Sequence, residues 1–571
     1  MSKDDFQKQH YLIIVESPSK CEKIKKFLVS TEKYKNCTVV ATCGHFRELK
    51  SVCPKTFDMK FIVSPKSKKY INQIKKLATQ KNTEVILATD WDREGEAIAF
   101  HICQVLKLPM TKTKRIRFGE ITRKVILEAL ENPYVIDKNL VHAQMTRQII
   151  DRWIGFHFSP ILWKQFPKYR GLSAGRCQTP TLKIIHDQEE RRKHSIPETK
   201  FQVFADFRKQ CFVLNHDFST EKESISFLRQ NISHAHCVKS VSSKTVFDYP
   251  SLPFSTSSLQ KYCNSAFGWS PSLTMSKAQK LYEQGHITYH RTESHQISCS
   301  FQKEMLQFLE ETYGKEYCDD KKEVTTSLKS TKDLPHEAIR VTSVDSFVDN
   351  DPLYMAIRKR SLQSVMSKAV FHEQTISISS PESNYCFQRK RRENVFKGFL
   401  VVSTSVKGQT DEDALEWKIG EMVSMDALEM KEVLVQSLKH CSEGFVVSQL
   451  EQLGIGRPST FSSFVSKIQE KNYVEKLTKS IPTGIMLTEV YYDKKTGTFP
   501  KKENEFILEE KSKLFMTELG TRVVQYLYET FPKYFEFDYT ASLESDLDSI
   551  AKGTKKHKSL LQKVYQEIYE K

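Results

Sequence analysis

No two of the 13 cysteines stand in a C-x-x-C pair. That absence excludes zinc ribbons, and in an intracellular chain such scattered thiols also argue against a disulfide framework. Cys177 and Cys263 read as packing residues. No G-x-x-x-x-G-K-S/T phosphate loop occurs, which excludes an ATP-driven motor of that type. No stretch approaches about 18 apolar residues, and Met1 to His10 is polar, so neither a membrane span nor a signal peptide is expected. The expectation is a soluble, cytoplasmic protein, with a nuclear or viral setting left open.

What the chain does contain is positive charge. Lys+Arg number 87 against Asp+Glu 70, a formal net charge of +17 with a pI of about 9.1, which biases the surface toward polyanions such as nucleic acid. Aromatic residues make up 11% of the chain, enough to supply stacking surfaces for unpaired bases once the core has taken its share. A length of 571 residues predicts several domains of about 100 to 200 residues each.

The most informative segment is Leu87-Ala88-Thr89-Asp90-Trp91-Asp92-Arg93-Glu94-Gly95-Glu96-Ala97. Val85 to Ala88 reads as a short buried strand and Ile98 to Leu106 as the apolar face of a helix, so Asp90, Asp92 and Glu94 fall at a strand-to-helix turn, where open α/β sheets place ligands. Three anions so close repel one another. Remaining ionised calls for a cation, and an all-oxygen set suits Mg²⁺. The alternative is an acidic first helical turn favoured by the macrodipole.

A second strand-to-turn unit, Tyr11-Leu12-Ile13-Ile14-Val15-Glu16-Ser17-Pro18-Ser19-Lys20, favours the metal reading. Glu16 ends the strand, Ser17 and Pro18 make a helix start, and Lys20 lies in the first turn. A carboxylate and a lysine at a helix N-terminus beside the acidic triplet would make a mixed site for metal and phosphate. These two segments resemble a Toprim domain, the unit shared by DNA topoisomerases, primases and some nucleases.

In the centre of the chain, Leu281-Tyr282-Glu283-Gln284-Gly285-His286-Ile287-Thr288-Tyr289-His290-Arg291-Thr292-Glu293-Ser294 follows a helix predicted from Ser270 to Gly285, and Ile287 to His290 reads as a strand. A tyrosine in a strand is ordinarily packing. This segment, however, closely resembles the active-site signature of the type IA DNA topoisomerases, in which that tyrosine is the nucleophile. A phenol with a pKa of about 10 is a weak nucleophile at neutral pH, and Arg291 beside it would stabilise phenolate and hold the scissile phosphate. The resemblance implies a 5′-phosphotyrosine linkage on Tyr289, ATP-independent breakage and rejoining of one strand, and passage of another through the break.

Further segments match in family order, so the resemblance covers nearly the whole chain. Gly44-His45-Phe46-Arg47 follows the first Toprim unit and Arg115-Ile116-Arg117-Phe118-Gly119-Glu120 follows the triplet. Arg147 and Asp151 stand one helical turn apart, an arrangement that on a plain surface helix contributes a few tenths of a kcal/mol. By resemblance the pair lies beside single-stranded DNA. Two glycine turns with arginines, Gly175-Arg176-Cys177-Gln178 and Gly454-Ile455-Gly456-Arg457, enter helices and are expected to touch the DNA backbone. The resemblance also sets His336 toward the scissile phosphate and makes His45, Arg115, Arg176, Gln178, Arg340 and Arg457 DNA contacts. Glu16 would be a proton shuttle or a metal ligand with Asp90, Asp92 and Glu94, and Lys20 would stabilise the transferring phosphoryl group.

The implied fold is multidomain α/β plus α in a toroidal arrangement. Residues 1–140 would be the Toprim domain, 141–197 and 446–571 a mainly helical domain carrying the DNA groove, 198–250 and 372–445 a β-rich arch, and 251–371 a helical domain carrying Tyr289. Single-stranded and negatively supercoiled DNA would be the partner of a monomeric enzyme. Glu293 stands where the family has aspartate and His290 where methionine or proline is usual. The glycine-arginine motifs resemble bacterial topoisomerase I more than topoisomerase III, with relaxation expected to outweigh decatenation, whereas the expected lack of zinc ribbons departs from many bacterial members, in which that tail helps bind the passing strand. A Toprim nuclease or primase, or a non-catalytic single-strand binder, is the competing reading. Basic clusters at Arg389 to Arg392 and Lys555 to Lys558 read as solvated or DNA-facing charge, or as import signals. Lys321 to Lys332 reads as an exposed loop.

Overall fold

A computed structural model describes residues 9–319, 336–348, 350–403, 415–435 and 439–570. The lysine- and serine-rich stretch from Lys321 to Lys332 lies outside the described residues.

Near the N-terminus the strands are β1 (His10–Val15), β2 (Cys37–Ala41), the antiparallel pair β3 (Arg47–Val52) and β4 (Met59–Val63), β5 (Thr83–Leu87) and β6 (Lys114–Arg115). β2, β1, β5 and β6 form a parallel sheet in that order. A parallel sheet is covered on both faces, and β1 is accordingly buried from Tyr11 to Val15. Ile13 and Val15 face one core, Leu12 and Ile14 another. The first of these cores is shared with the domain that carries Tyr289, where Leu281, Tyr282, Ile287 and Tyr289 join Ile116, Phe118 and Ile121. The tyrosine domain therefore packs against one face of the Toprim sheet through an apolar seam.

The arch is an eight-stranded antiparallel sheet. Its members are β7 (Thr199–Phe207), β8 (Gln210–Phe218), β9 (Val238–Asp248), β10 (Ala369–Ser379), β11 (Cys386–Phe396), β12 (Met425–Leu434), β13 (Val474–Tyr491) and β14 (Lys501–Met516), in the order β14-β13-β12-β7-β8-β11-β10-β9. The two segments expected to be β-rich supply β7 to β12. The region 446–571, expected to be mainly helical, departs from that expectation because it contributes the hairpin β13–β14. Only Glu489 to Tyr491 pair with β12, so the hairpin is attached to the sheet at one end and to the helical body at the other, where Leu514 bridges Cys441. Most of the remaining described residues of this region are helical, and its Leu543, Leu547, Leu560 and Val564 share a core with Ile150, Ile154 and Phe158 of the long helix Lys138–Gln165.

The helix Pro271–Glu283 begins at the Ser270 cap with proline in its first turn, as expected, and Gly285 follows it with φ +68°. The strand expected at Ile287 to His290 is reduced to one bridge between Ile287 and Val341. The backbone of this segment is instead shared between two neighbours: the Thr288 amide donates to the Arg340 carbonyl at 2.9 Å, and the Tyr289 amide to the Gly119 carbonyl at 2.7 Å. No described helix is long and apolar enough to cross a membrane.

Candidate active site at the seam between the Toprim and tyrosine domains

The acidic turn is built locally. Asp92 caps the helix Arg93–Leu106, accepting from the Gly95 amide through Oδ1 at 2.7 Å. Glu16 reaches across from the end of β1, and its Oε1 accepts from the Asp90 amide at 2.9 Å. Lys20, only 1% exposed although it sits in the first turn of its helix, pairs with Asp90. His45 bonds Glu94 at 2.9 Å, and Gln144 donates to the same carboxylate at 3.0 Å.

Onto this cluster the fold lowers the tyrosine. Tyr289, 1% exposed, donates its phenolic hydrogen to Asp92 Oδ2 at 2.6 Å across 197 residues of sequence. Arg291 approaches the same oxygen at 3.4 Å. The His336 ring lies 4.9 Å from the Tyr289 ring and 5.0 Å from that of Trp91, with Nδ1 buried and without a hydrogen-bond partner among the described residues.

Electrostatics separates the acids. Burial and repulsion from Asp90 and Asp92 push the Glu16 carboxyl up to about 8, against the pull of Lys20 and the Asp90 amide. Burial also works against charge on Asp92, but Arg291, the Tyr289 hydroxyl, the Gly95 amide and His336 outweigh it and hold that carboxyl below its ordinary range. Burial and the adjacent Asp92 raise the Tyr289 phenol well above 10, so it rests protonated. His45 is destabilised as a cation by burial, yet Glu94 overcomes that and raises it.

Among the described residues no three His, Cys, Asp or Glu side chains converge as a ready-made metal cage. The donor set nevertheless fits a hard cation. Burial together with repulsion from Asp90 and Asp92 raises Glu16, and a divalent ion would relieve that repulsion.

A circuit of alternating charge leads away from the acids. Arg147 lies 3.9 Å from Glu94 and 3.6 Å from Asp151, and Arg176 is 2.6 Å from Asp151 and 2.7 Å from Glu544. Arg457 joins Asp548 at 2.5 Å and comes within 4.0 Å of both Glu544 and Glu293; Arg93 closes the circuit on Asp548. Burial would raise Glu544, but Arg176, Arg147 and Arg457 bring it down to about 2. Three of the five arginines expected at the DNA are thus gathered, each balanced by a carboxylate, and of these Arg176 is buried.

Three expected contacts are otherwise engaged. Arg115 is fully buried, its guanidinium donating to the carbonyls of Thr89 and Asp90 at 2.7 Å and pairing with Glu96 at 3.3 Å. It shapes the acidic turn from behind and presents no face to a phosphate. Gln178 is buried and braces its own loop, donating to the Ser173 carbonyl at 3.3 Å. Arg340 is buried over the Phe301 ring at 3.9 Å and spans Glu337 and the Toprim residue Glu120 at 2.7 and 3.0 Å. Of the basic clusters, Arg392 pairs with Glu373 and Lys555 with Asp546, at 2.7 and 2.6 Å. Sequence reasoning missed Gln144, Glu544 and Asp548. The last two stand one helical turn apart, a spacing that could have flagged them.

A Toprim domain model matches residues 11–121, and a DNA topoisomerase model matches residues 135–503. The chain belongs to the type IA DNA topoisomerase family. It is 32% identical over 579 residues to DNA topoisomerase 1 of Aquifex aeolicus (strain VF5), covering 98% of each chain. Full-length topoisomerase I from Thermotoga maritima superposes with a TM-score of 0.77 at 29% identity, over 98% of this chain and 89% of that one. The seam between the Toprim and tyrosine domains is accordingly the candidate active site of a DNA topoisomerase, and the Toprim domain is a metal-binding fold.

Proposed function

We propose that this topoisomerase, acting as a monomer and without ATP, relaxes negatively supercoiled DNA by breaking one strand of a single-stranded region, passing another through the break and resealing it. The observation that carries the reading is the 2.6 Å hydrogen bond from Tyr289 to Asp92, which joins the candidate nucleophile to the acidic cluster of a different domain.

Tyr289 attacks the phosphorus, and its proton passes to Asp92, the acceptor already bonded to it. The O–P bond to the 3′ oxygen breaks, and Glu16, protonated near neutral pH because its carboxyl lies at about 8, supplies the proton to that oxygen. Arg291 and Lys20 offset charge on the transferring phosphoryl group, and His336 lines the same space. Resealing runs these steps in reverse. Since the phosphotyrosine conserves the ester, no nucleotide hydrolysis is required. Asp90, Asp92 and Glu94, joined by Glu16 once it has given up its proton, would hold Mg²⁺, which when bound supplies positive charge for alignment of the broken ends. Arg147 and Arg457 hold the strand by exchanging carboxylate partners for phosphates, while buried Arg176 fixes Asp151 and Glu544 between them. His45 orients Glu94.

The test is relaxation of negatively supercoiled plasmid with Mg²⁺ and no ATP, beside Tyr289→Phe. Wild type relaxes the plasmid and leaves a 5′-linked covalent adduct; the variant does neither. Equal relaxation by the variant would refute the assignment. Mg²⁺-dependent hydrolysis without an adduct would point instead to a Toprim nuclease.

A further inference from the structure

Lys20 is an ammonium taken almost wholly out of water, a costly state unless its charge is balanced on more than one side. Asp90 supplies one side. The other is the ring face of Tyr282, whose centroid lies 5.0 Å from Lys20 Nζ. Asp90 belongs to the same domain as Lys20, whereas Tyr282 belongs to the domain that carries the nucleophile. Tyr282 is fully buried, meets the Tyr289 ring edge-on at 5.1 Å, and lies 5.8 Å from the His290 ring. Its hydroxyl has no hydrogen-bond partner among the described residues, so what this side chain offers the site is its π face. The end of its helix is seated on the Lys20 helix by polar contacts on either side, Ser19 to Glu283 and Lys23 to the Gln284 carbonyl.

We propose that Tyr282 is a positioning residue for strand resealing: its ring completes the enclosure of the Lys20 ammonium only while the tyrosine domain is docked. Lifting that domain removes the ring together with the nucleophile, leaving Lys20 with Asp90, Glu16 and water. The charge that stabilises phosphoryl transfer is then assembled by domain closure, so the broken strand is resealed quickly when the two halves meet and not before. The attraction is electrostatic, between the ammonium and the negative face of the ring, and it is strongest where water is excluded. The proposal rests on the role given above to Lys20.

The experiment measures single-turnover resealing from the preformed covalent complex of the full chain on a fluorescent single-stranded oligonucleotide. Tyr282→Phe, which keeps the π face, is expected to reseal within about twofold of wild type. Tyr282→Leu is expected to be slower by about tenfold. Replacement of Tyr282 by pentafluorophenylalanine keeps the ring's shape but withdraws its negative face, and the same loss of about tenfold is expected; this arm decides the matter if the leucine variant folds poorly. In a Lys20→Met background, Tyr282→Leu is expected to add no more than about twofold, because the two residues act on one interaction. The proposal is overturned if Tyr282→Phe is as slow as Tyr282→Leu, if the pentafluorinated ring reseals like Phe, or if the leucine effect persists at full size without Lys20. Lys20→Met resealing at the wild-type rate would instead remove Lys20 from the chemistry, a failure of the underlying reading that is recognisable before any Tyr282 variant is compared.

Discussion

Gly95 is the position where the smallest perturbation should do the most damage. It stands in the first turn of the acidic helix, and a β-carbon built there would lie 2.8 Å from Glu16 Oε1, 2.9 Å from the Asp90 carbonyl carbon, and closer still to the Asp90 carbonyl oxygen. Ordinary contact needs about 3.5 Å, so even the Glu16 oxygen falls roughly 0.7 Å short. None of these neighbours is free to yield. The Asp90 carbonyl accepts from buried Arg115 at 2.7 Å, and the Asp90 amide is held by Glu16. Gly95 itself is pinned by Asp92 through its amide and by the Thr89 hydroxyl, 2.7 Å from its carbonyl. Gly95→Ala must therefore displace Glu16 and Asp90 relative to Asp92. Overpacking of this kind costs about 1–3 kcal/mol of stability, while displacement of reacting groups by about 1 Å costs about 100-fold in rate. The expected outcome is a folded protein whose melting temperature falls by less than about 10 °C and whose initial rate of plasmid relaxation falls about 100-fold. Gly155→Ala is the control, since its β-carbon would meet only the Ala174 carbonyl at an ordinary 3.9 Å. If Gly95→Ala relaxed plasmid within twofold of wild type, the reasoning about how this turn holds its carboxylates would be wrong.

Two further outcomes follow from the charges. Because the Glu16 carboxyl is raised in the folded protein to about 8 from an ordinary 4.5, the stability it contributes is full below about 4.5 and is lost as pH rises through about 8. In chelator-treated protein the melting temperature should fall between about pH 5 and 8, and Glu16→Gln should flatten that fall; an unchanged slope would contradict the burial and repulsion argument. Arg115→Met should destabilise the protein by about 3–5 kcal/mol in urea unfolding, since it leaves Glu96 buried with only Arg117, 3.5 Å away, as an ionic partner. A loss confined to DNA affinity would instead restore Arg115 to the DNA contacts.

Much of the site was legible because its signals are local. An apolar run ending in alternating carboxylates makes a strand and a helix start from neighbouring residues alone, and Asp92 caps that helix as such a sequence should. Alternation over Phe201 to Phe207 marks a strand wherever the chain goes, and Ser270 with Pro271 begins a helix without outside help. The candidate nucleophile was also legible, since Tyr289 and Arg291 lie within one recognisable segment. Partnership was not. That Tyr289 meets Asp92, that Lys20 lies between Asp90 and Tyr282, and that Glu544 and Asp548 balance arginines from three other segments all depend on domains docking across long stretches of chain. Arg115 and Arg340 show the same limit from the other side. A basic residue in a DNA-binding chain suggests a phosphate contact, but burial and the carbonyls and carboxylates around it are properties of the packed whole. Propensity acts over a few residues and so is written in the sequence, whereas burial and charge pairing arise when distant segments exclude water between them, and here that happens at the seam that holds the candidate active site.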